Sequence, residues 1–211
     1  MSWLHLLYGL EWFRWSLHHM AAPGTISIRP EVLIEILYDV ISSLNEHGFK
    51  KFLIINGHRI VNVPWIQIAA ERAKRLLKIK VILFDPAYMS KEVVDKLGFN
   101  SVGHSEEIEV SHLMYKFPHL VKVNLIRDFR PSEKHLYHID PRDPRDTLCY
   151  IPSTKEDMIK LAKDSGDYIT GSPSKACAEK GMKYHQHLVN RLIEVLEQLR
   201  RDQLRVRWRK Y

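Results

Sequence analysis

The stretch that decides the fold of this chain is residues 52–62, which read Phe52-Leu-Ile-Ile-Asn-Gly-His-Arg-Ile-Val-Asn62. Its first four residues are large and apolar, and two are β-branched. Such a run predicts a strand covered on both faces, as in a parallel sheet packed between helices. Asn56-Gly57 then predicts a turn. Ligands bind beyond the carboxyl ends of such strands, so His58 lies where a site would form, although a turn histidine bonded to nearby backbone suits the same position.

Helix and strand patterns alternate around this stretch. A helix is predicted from about Pro30 to His47, with proline in its first turn, a single apolar face and Gly48 after its end. A second buried strand is predicted at 80–84, after a helix that ends near Leu77. The order of strand, helix and strand predicts right-handed βαβ units and a parallel sheet.

The rest of the chain is less regular. Helices are predicted at 105–117, at about 155–164, and along a C-terminal stretch to about Leu199. Residues 127–153 contain four prolines and many charges, which predicts a long irregular excursion of the kind that forms lids or subunit contacts. The first twenty residues hold three of the five tryptophans. They show no clear period and no strand to open the sheet, which predicts an incomplete or altered N-terminus.

Composition favours a globular protein. With 211 residues, 45% hydrophobic and 27% charged, the chain suits one α/β domain spanning 1–211. No window approaches the roughly 18 apolar residues of a membrane span, and Met1 to Leu10 lacks a basic n-region. Two distant cysteines predict neither a disulfide framework nor a structural zinc site, and a cytoplasmic location is expected. Six cations within 200–210 supply much of the net charge of +7, which favours a solvated helix end over nucleic-acid binding.

A second candidate cluster lies at residues 103–109, which read Gly-His-Ser-Glu-Glu-Ile-Glu. At about 100° per residue, Glu106 and Glu109 are expected to share a helix face, with His104 just before the helix. An imidazole and a carboxylate together can bind a divalent metal, or act as acid and base on a metal-bound water. The same residues also suit a capping sequence with acidic groups in the first turn.

Three motifs in one order resemble the creatininase family of metal-dependent amidohydrolases. They are Pro23-Gly-Thr-Ile-Ser27, Asn56-Gly-His58, and His104 to Glu109 followed by Ser111. The resemblance covers roughly Tyr8 to Leu199. It implies a three-layer α/β/α fold with a mostly parallel sheet, and an enzyme that hydrolytically opens a small cyclic amide. A cyclic ketone of the inosose type is the alternative substrate.

The resemblance also implies roles for individual residues. His58 and Glu109 match ligands of a binuclear zinc or manganese centre, and His104 matches a histidine that assists proton transfer. His19, Asn56 and Glu106 are expected at the substrate-binding site. The family further implies a homo-oligomer, a hexamer.

Departures from the family pattern leave the activity open. Family members begin with a strand and loop that supply a glutamate, a histidine and a bridging aspartate, and no stretch here matches them. We therefore expect a fold without the first βα portion and an incomplete metal centre. Ile60 replaces a carboxylate and Val110 a threonine of the family pattern, which argues against creatinine as substrate. The chain is thus a hydrolase, active or inactive as it stands, or a non-catalytic, oligomer-forming remnant of the family.

Overall fold

The computed structural model describes residues 5–7, 15–57, 59–99, 105–129, 154–166 and 168–208, with only the backbone for 5–7, 59–61 and 202–208. These residues belong to two compact units. Unit 1 comprises Met1–Tyr88, Leu136–Pro141 and Thr147–Tyr168, and unit 2 comprises Met89–His135, Arg142–Asp146 and Ile169–Tyr211. Most of the excursion predicted at 127–153 lies outside the described residues. A single domain over 1–211 stays a prediction.

Unit 1 contains a parallel sheet of three strands in the order β1-β2-β3. They are β1 (His5–Leu7), β2 (Lys51–Ile55) and β3 (Lys80–Phe84). The three middle residues of β2 are buried, as expected for a central strand covered on both faces. The predicted α/β class and parallel sheet are therefore confirmed.

Strand β1 corrects the prediction that no strand lies in the first twenty residues. It pairs in parallel with β2, and His5 is the register partner of Phe52. Three residues are too few to show a period in the sequence, and the strand is defined by its pairing with a neighbour that is distant in the chain.

The core of unit 1 forms where two helices pack together and against the sheet. They are α1 (Pro30–Glu46) and α2 (Arg59–Leu77). The buried cluster takes side chains from α1, β2, α2 and the residue before β3, namely Leu33, Leu37, Ile41, Phe52, Ile54, Trp65, Ile66, Ala69, Ala73 and Ile79. Gly48, at φ +90°, ends the α1 segment in the left-handed conformation that glycine tolerates. The predicted bounds of α1 and the predicted end of α2 hold to within one residue.

Two shorter helices lie wholly or mostly in the described part of unit 1. The helix α3 (Pro86–Met89) follows β3 directly. The helix α6 (Lys155–Ser165) begins with a capping box between Thr154 and Asp157, which satisfies the first amides of the helix. It lies beside the 3-10 turn His18–Ala21, and the Tyr168 hydroxyl donates to the Ala21 carbonyl at 3.0 Å.

Unit 2 is helical in the part that the structure describes. Its helices are α4 (Lys91–Lys96), α5 (Glu107–Lys116) and α7 (Ala178–Trp208). Val93, Val94, Ile108 and Tyr184 form its buried core. The helix α7 continues beyond the predicted end near Leu199, because the arginine, glutamine and leucine residues that follow are good helix formers. Among the helices in the described ranges, none combines the length and apolar character needed to cross a bilayer.

Candidate active site

The residues predicted to form the site differ in how far the structure describes them. His19, Asn56, Glu106 and Glu109 are described, whereas His58 and His104 lie outside the described residues. Within the described ranges, no group of three or more histidine, cysteine, aspartate or glutamate side chains is arranged to hold a metal. The metal ligand role of His58 and the catalytic role of His104 therefore stay predictions.

Asn56, the first residue of the Asn-Gly-His turn, is anchored to the end of the neighbouring strand. Its side chain is buried, and its amide nitrogen donates to Oδ2 of Asp85 at 2.5 Å. Its backbone N–H donates to the carbonyl of Phe84 at 2.9 Å. Both contacts lie at the carboxyl ends of parallel strands, where ligands bind in this class of sheet. The turn that precedes His58 is thus fixed through both the backbone and the side chain of Asn56.

Asp85 is a site-supporting residue that the sequence analysis missed. Its Oδ1 accepts hydrogen bonds from the N–H groups of Ala87 at 2.9 Å and Tyr88 at 3.1 Å, which caps α3. The residue is 7% exposed, and its three N–H donors offset the cost of burying a carboxylate. An aspartate directly before a proline is an N-cap signal, because proline favours the first helical position.

Glu106 caps α5 and does not belong to its helical turns. It has extended backbone at φ −93° and ψ −175°, and its Oε2 accepts a hydrogen bond from the N–H of Ile108 at 2.8 Å. The helix begins at Glu107, so the helical spacing used to pair Glu106 with Glu109 does not apply. The prediction that they share a face was wrong, since Glu106 is fully buried whereas Glu109 is exposed.

Glu109 presents a solvent-exposed carboxylate in the first turn of α5. Its Oε2 accepts a hydrogen bond from the N–H of Ser105 at 3.0 Å. Ser105 has a φ of +52°, which is uncommon for a residue other than glycine. The contact holds the carboxylate beside the residue that follows His104 in the sequence.

The serine that ends the third motif has a structural role. Ser111 is fully buried, and its hydroxyl accepts a hydrogen bond from the N–H of Cys177 at 3.0 Å, directly before α7. One turn into α7, a Cβ added to Gly181 would overlap the carbonyl oxygen of Ser111. The backbones of α5 and α7 therefore meet at a small residue on each side. This close contact fixes the helix that carries Glu109.

His19 lies in a small hydrogen-bonded network with the Pro23–Ser27 motif. Its Nδ1 is 2.9 Å from Oγ of Ser16, and the backbone N–H of Ser16 donates to Oγ of Ser27 at 2.9 Å. Ser16 is fully buried and His19 is half-buried. The motif serine thus holds the segment that carries His19.

A family sequence model and two relatives all match this chain over most of its length. The sequence model of the creatininase family, described as creatinine amidohydrolase, matches residues 9–196. The 3-dehydro-scyllo-inosose hydrolase of Thermotoga maritima is 25% identical over 197 residues, which are 88% of this chain and 60% of that protein. The creatinine amidohydrolase of Pseudomonas putida is 25% identical over 160 residues, which are 70% of this chain and 60% of that protein. The chain thus spans 60% of the length of these relatives.

Solved structures show the same fold. A crystal structure of creatininase superposes with a TM-score of 0.62 at 23% identity, covering 83% of this chain and 66% of the other. A manganese form of creatininase superposes with a TM-score of 0.59 at 24% identity, with the same coverage. Since the family match takes in the Asn-Gly-His turn, the start of α5 and most of α7, the chain belongs to the creatininase family.

Proposed function

We propose that the protein is a metal-dependent hydrolase that opens the ring of a small cyclic compound. The observation that carries the proposal is the Glu109 carboxylate, exposed at the start of α5 and held by the N–H of Ser105 within the family motif. It has the chemistry and the accessibility of a metal ligand. The family match over residues 9–196 and the hydrolase activity of both relatives support the same reaction class.

His58 and Glu109 would hold the metal. An imidazole and a carboxylate suit zinc and also manganese, and solved family structures include a manganese form and a mutant of the Zn-Zn type. We therefore propose a binuclear centre of zinc or manganese ions. When bound, such ions polarise a carbonyl and lower the pKa of a coordinated water. Catalytic zinc generally has three protein ligands, so these two residues make up part of the ligand set.

The remaining residues act on the substrate or hold the site in place. We assign to His104 the transfer of a proton to the ring atom that leaves, the ordinary task of a histidine near neutral pH. His19 is proposed to contact the substrate. For Asn56 and Glu106, predicted at the substrate site, the contacts favour a supporting role, because each buried side chain is bonded within the protein, to Asp85 and to the N–H of Ile108.

The substrate we favour is a cyclic amide or a related small ring. The relative that matches the larger share of this chain hydrolyses 3-dehydro-scyllo-inosose, and Ile60 stands where the family pattern has a carboxylate. A cyclic ketone of the inosose type is therefore the alternative to an amide. Parallel assays with creatinine and with 3-dehydro-scyllo-inosose separate the two classes.

The metal proposal is tested by loading the purified protein with zinc or manganese and measuring bound metal together with ring opening. His58→Ala and Glu109→Gln should lower metal content and reduce the rate about 100-fold or more, since each removes a ligand. Glu71→Gln, which changes an exposed helical glutamate, is the control and should leave both unchanged. A wild-type protein that binds no divalent ion would overturn the hydrolase proposal.

We further propose that the protein forms a homo-oligomer, which the non-catalytic alternative also requires. Two 3-10 turns of unit 2, Pro118–Leu120 and Val123–Leu125, present apolar side chains to solvent, with Leu120 58% and Val123 64% exposed. Apolar groups of this kind are often covered by a partner. Sedimentation should show a smaller species for Leu120→Asp than for Lys122→Asp, and a monomeric wild type would refute the proposal.

The free thiol of Cys177 suits a reducing, cytoplasmic location.

A further inference from the structure

Lys180, in the first turn of α7, neutralises a carboxylate that the fold buries completely. Its Nζ lies 2.6 Å from Oε1 of Glu107, whose side chain is 1% exposed against 30% for the lysine. A buried carboxylate is strongly destabilising without a partner. Glu107 is the first residue of α5, two positions before Glu109. Lys180 therefore supplies a compensating positive charge where the helix that carries Glu109 begins.

The same ammonium also contacts the chain on the other side of residues 100–104. It lies 3.5 Å from the carbonyl oxygen of Gly98, at the limit of a hydrogen bond, and 5.0 Å from the ring centroid of Phe99. A cation at that distance from an aromatic face is attracted by the ring. Phe99 also packs against the core of unit 2, with its ring edge-on to Tyr184. One side chain thus contacts the residues before and after the segment that contains His104.

We propose that Lys180 is a positioning residue for the active site. It holds Gly98 and Phe99 on one side and Glu107 on the other, and so fixes the start of α5 and the chain on either side of the segment that carries His104. This role rests on the proposed function, in which Glu109 binds metal and His104 transfers a proton. Lys180 itself touches neither substrate nor metal in this scheme. Its effect on the reaction is transmitted through the backbone that it holds.

The first test measures amide hydrogen exchange and does not require an active enzyme. Lys180→Met should raise exchange at Phe99, Ile108 and Val110, whose N–H groups are bonded at this junction, by about 10-fold or more. The double variant Glu107→Gln with Lys180→Met also loses the charge contact, and it removes the buried negative charge together with the ammonium. The double variant is included in case the single variant unfolds as a whole. It should show the same increase in exchange at Phe99, Ile108 and Val110.

Two further variants make the exchange test specific. Lys183→Met breaks the exposed pair that Lys183 forms with Glu179 at 2.7 Å in the same helix, and it should leave these amides unchanged. Lys180→Arg retains the charge and should recover most of the protection. Exchange that stays at the wild-type level in both Lys180→Met and the double variant would overturn the proposal.

The second test measures ring opening by the metal-loaded protein. The double variant should lower kcat by about 10- to 100-fold, the scale of a displacement of about 1 Å at reacting groups. Its KM should change little, and Lys180→Arg should restore kcat. Raised exchange with an unchanged kcat would refute the positioning role. If the wild type opened no ring, the hydrolase proposal would fail, and the exchange data would still decide whether Lys180 holds this junction.

Discussion

At the scale of single residues, the buried carboxylate of Asp85 is expected to stabilise unit 1 through its hydrogen bonds. Asp85→Ala removes the acceptor of three N–H groups, from Asn56, Ala87 and Tyr88. The loss of these three hydrogen bonds should lower the free energy of unfolding by about 2–4 kcal/mol in urea titrations. Asp39→Ala, on the exposed face of α1, should change it by less than about 0.5 kcal/mol. If Asp85→Ala and Asp39→Ala lowered the free energy of unfolding by similar amounts, the hydrogen bonds of Asp85 would not be stabilising.

The paired imidazoles of unit 2 predict a loss of stability in acid. Nε2 of His112 lies 3.0 Å from Nδ1 of His185. Burial lowers the pKa of His112, with smaller contributions from His185 and Lys116, and burial and then Lys116 lower the pKa of His185. The folded state therefore favours neutral rings, so the unfolded state binds more protons below the ordinary histidine pKa of about 6.5. Stability should fall as the pH drops through that value, until the folded-state pKa values are passed.

Urea titrations at about pH 7.5 and pH 5 measure this dependence on either side of the ordinary histidine pKa. His112→Gln should reduce the loss of unfolding free energy between the two conditions, because it removes one of the titrating rings. His119→Gln, on the exposed 3-10 turn that follows α5, should leave the loss unchanged. If His112→Gln behaved as His119→Gln does, the imidazole pair would not be the source of the pH dependence.

Some site residues could be predicted from the sequence and others could not. The residues that were missed have their partners far away along the chain. Glu109 belongs to a local motif, which marked it as a candidate without knowledge of the fold. Asp85 and Lys180 were missed because their partners, Asn56 and Glu107, lie 29 and 73 positions away. Nothing in the local pattern of an aspartate or a lysine indicates such a contact. Only the paired strands of unit 1 and the paired helices of unit 2 bring these groups together.

At the scale of secondary-structure elements, the contact between α5 and α7 depends on Gly181. In most helices a change from glycine to alanine stabilises by about 1 kcal/mol. Here the added Cβ would overlap the backbone of Ser111, so Gly181→Ala should instead destabilise the protein by about 1–3 kcal/mol. Urea titration measures the sign directly, with Met182→Ala at the neighbouring exposed position as control. A stabilised Gly181→Ala protein would show that the two helices are further apart.

Elements with strong local patterns were predicted well, and those defined by pairing were not. The strand β3 was predicted at its observed bounds, and β2 begins one residue earlier than expected. In each case a run of apolar residues, bounded by a turn signal, fixes the strand. By contrast β1 has three residues and is recognised through its parallel ladder with β2. The start of α5 was placed too early because a buried glutamate caps it, which helical periodicity does not reveal.

At the scale of the whole molecule, the family match includes the motif residues of both units. It runs over residues 9–196, and so includes the anchored Asn-Gly-His turn of unit 1 and the Glu109 helix of unit 2. In each unit the motif residues are held by contacts from outside the motif, by Asp85 in one and by Lys180 and Cys177 in the other. A short motif therefore depends on the surrounding fold for its geometry.

Metal binding should stabilise the whole molecule through Glu109. A ligand that binds only the folded state raises the unfolding free energy by about 2.7 kcal/mol when its concentration is 100 times its Kd. Urea titrations of the wild type with manganese, and again with EDTA, should differ by this order. In Glu109→Gln the difference should shrink, because an amide replaces the charged ligand, whereas Glu71→Gln should retain it. A Glu109→Gln protein stabilised as strongly as the wild type would show that the ion binds elsewhere and that Glu109 is not a ligand.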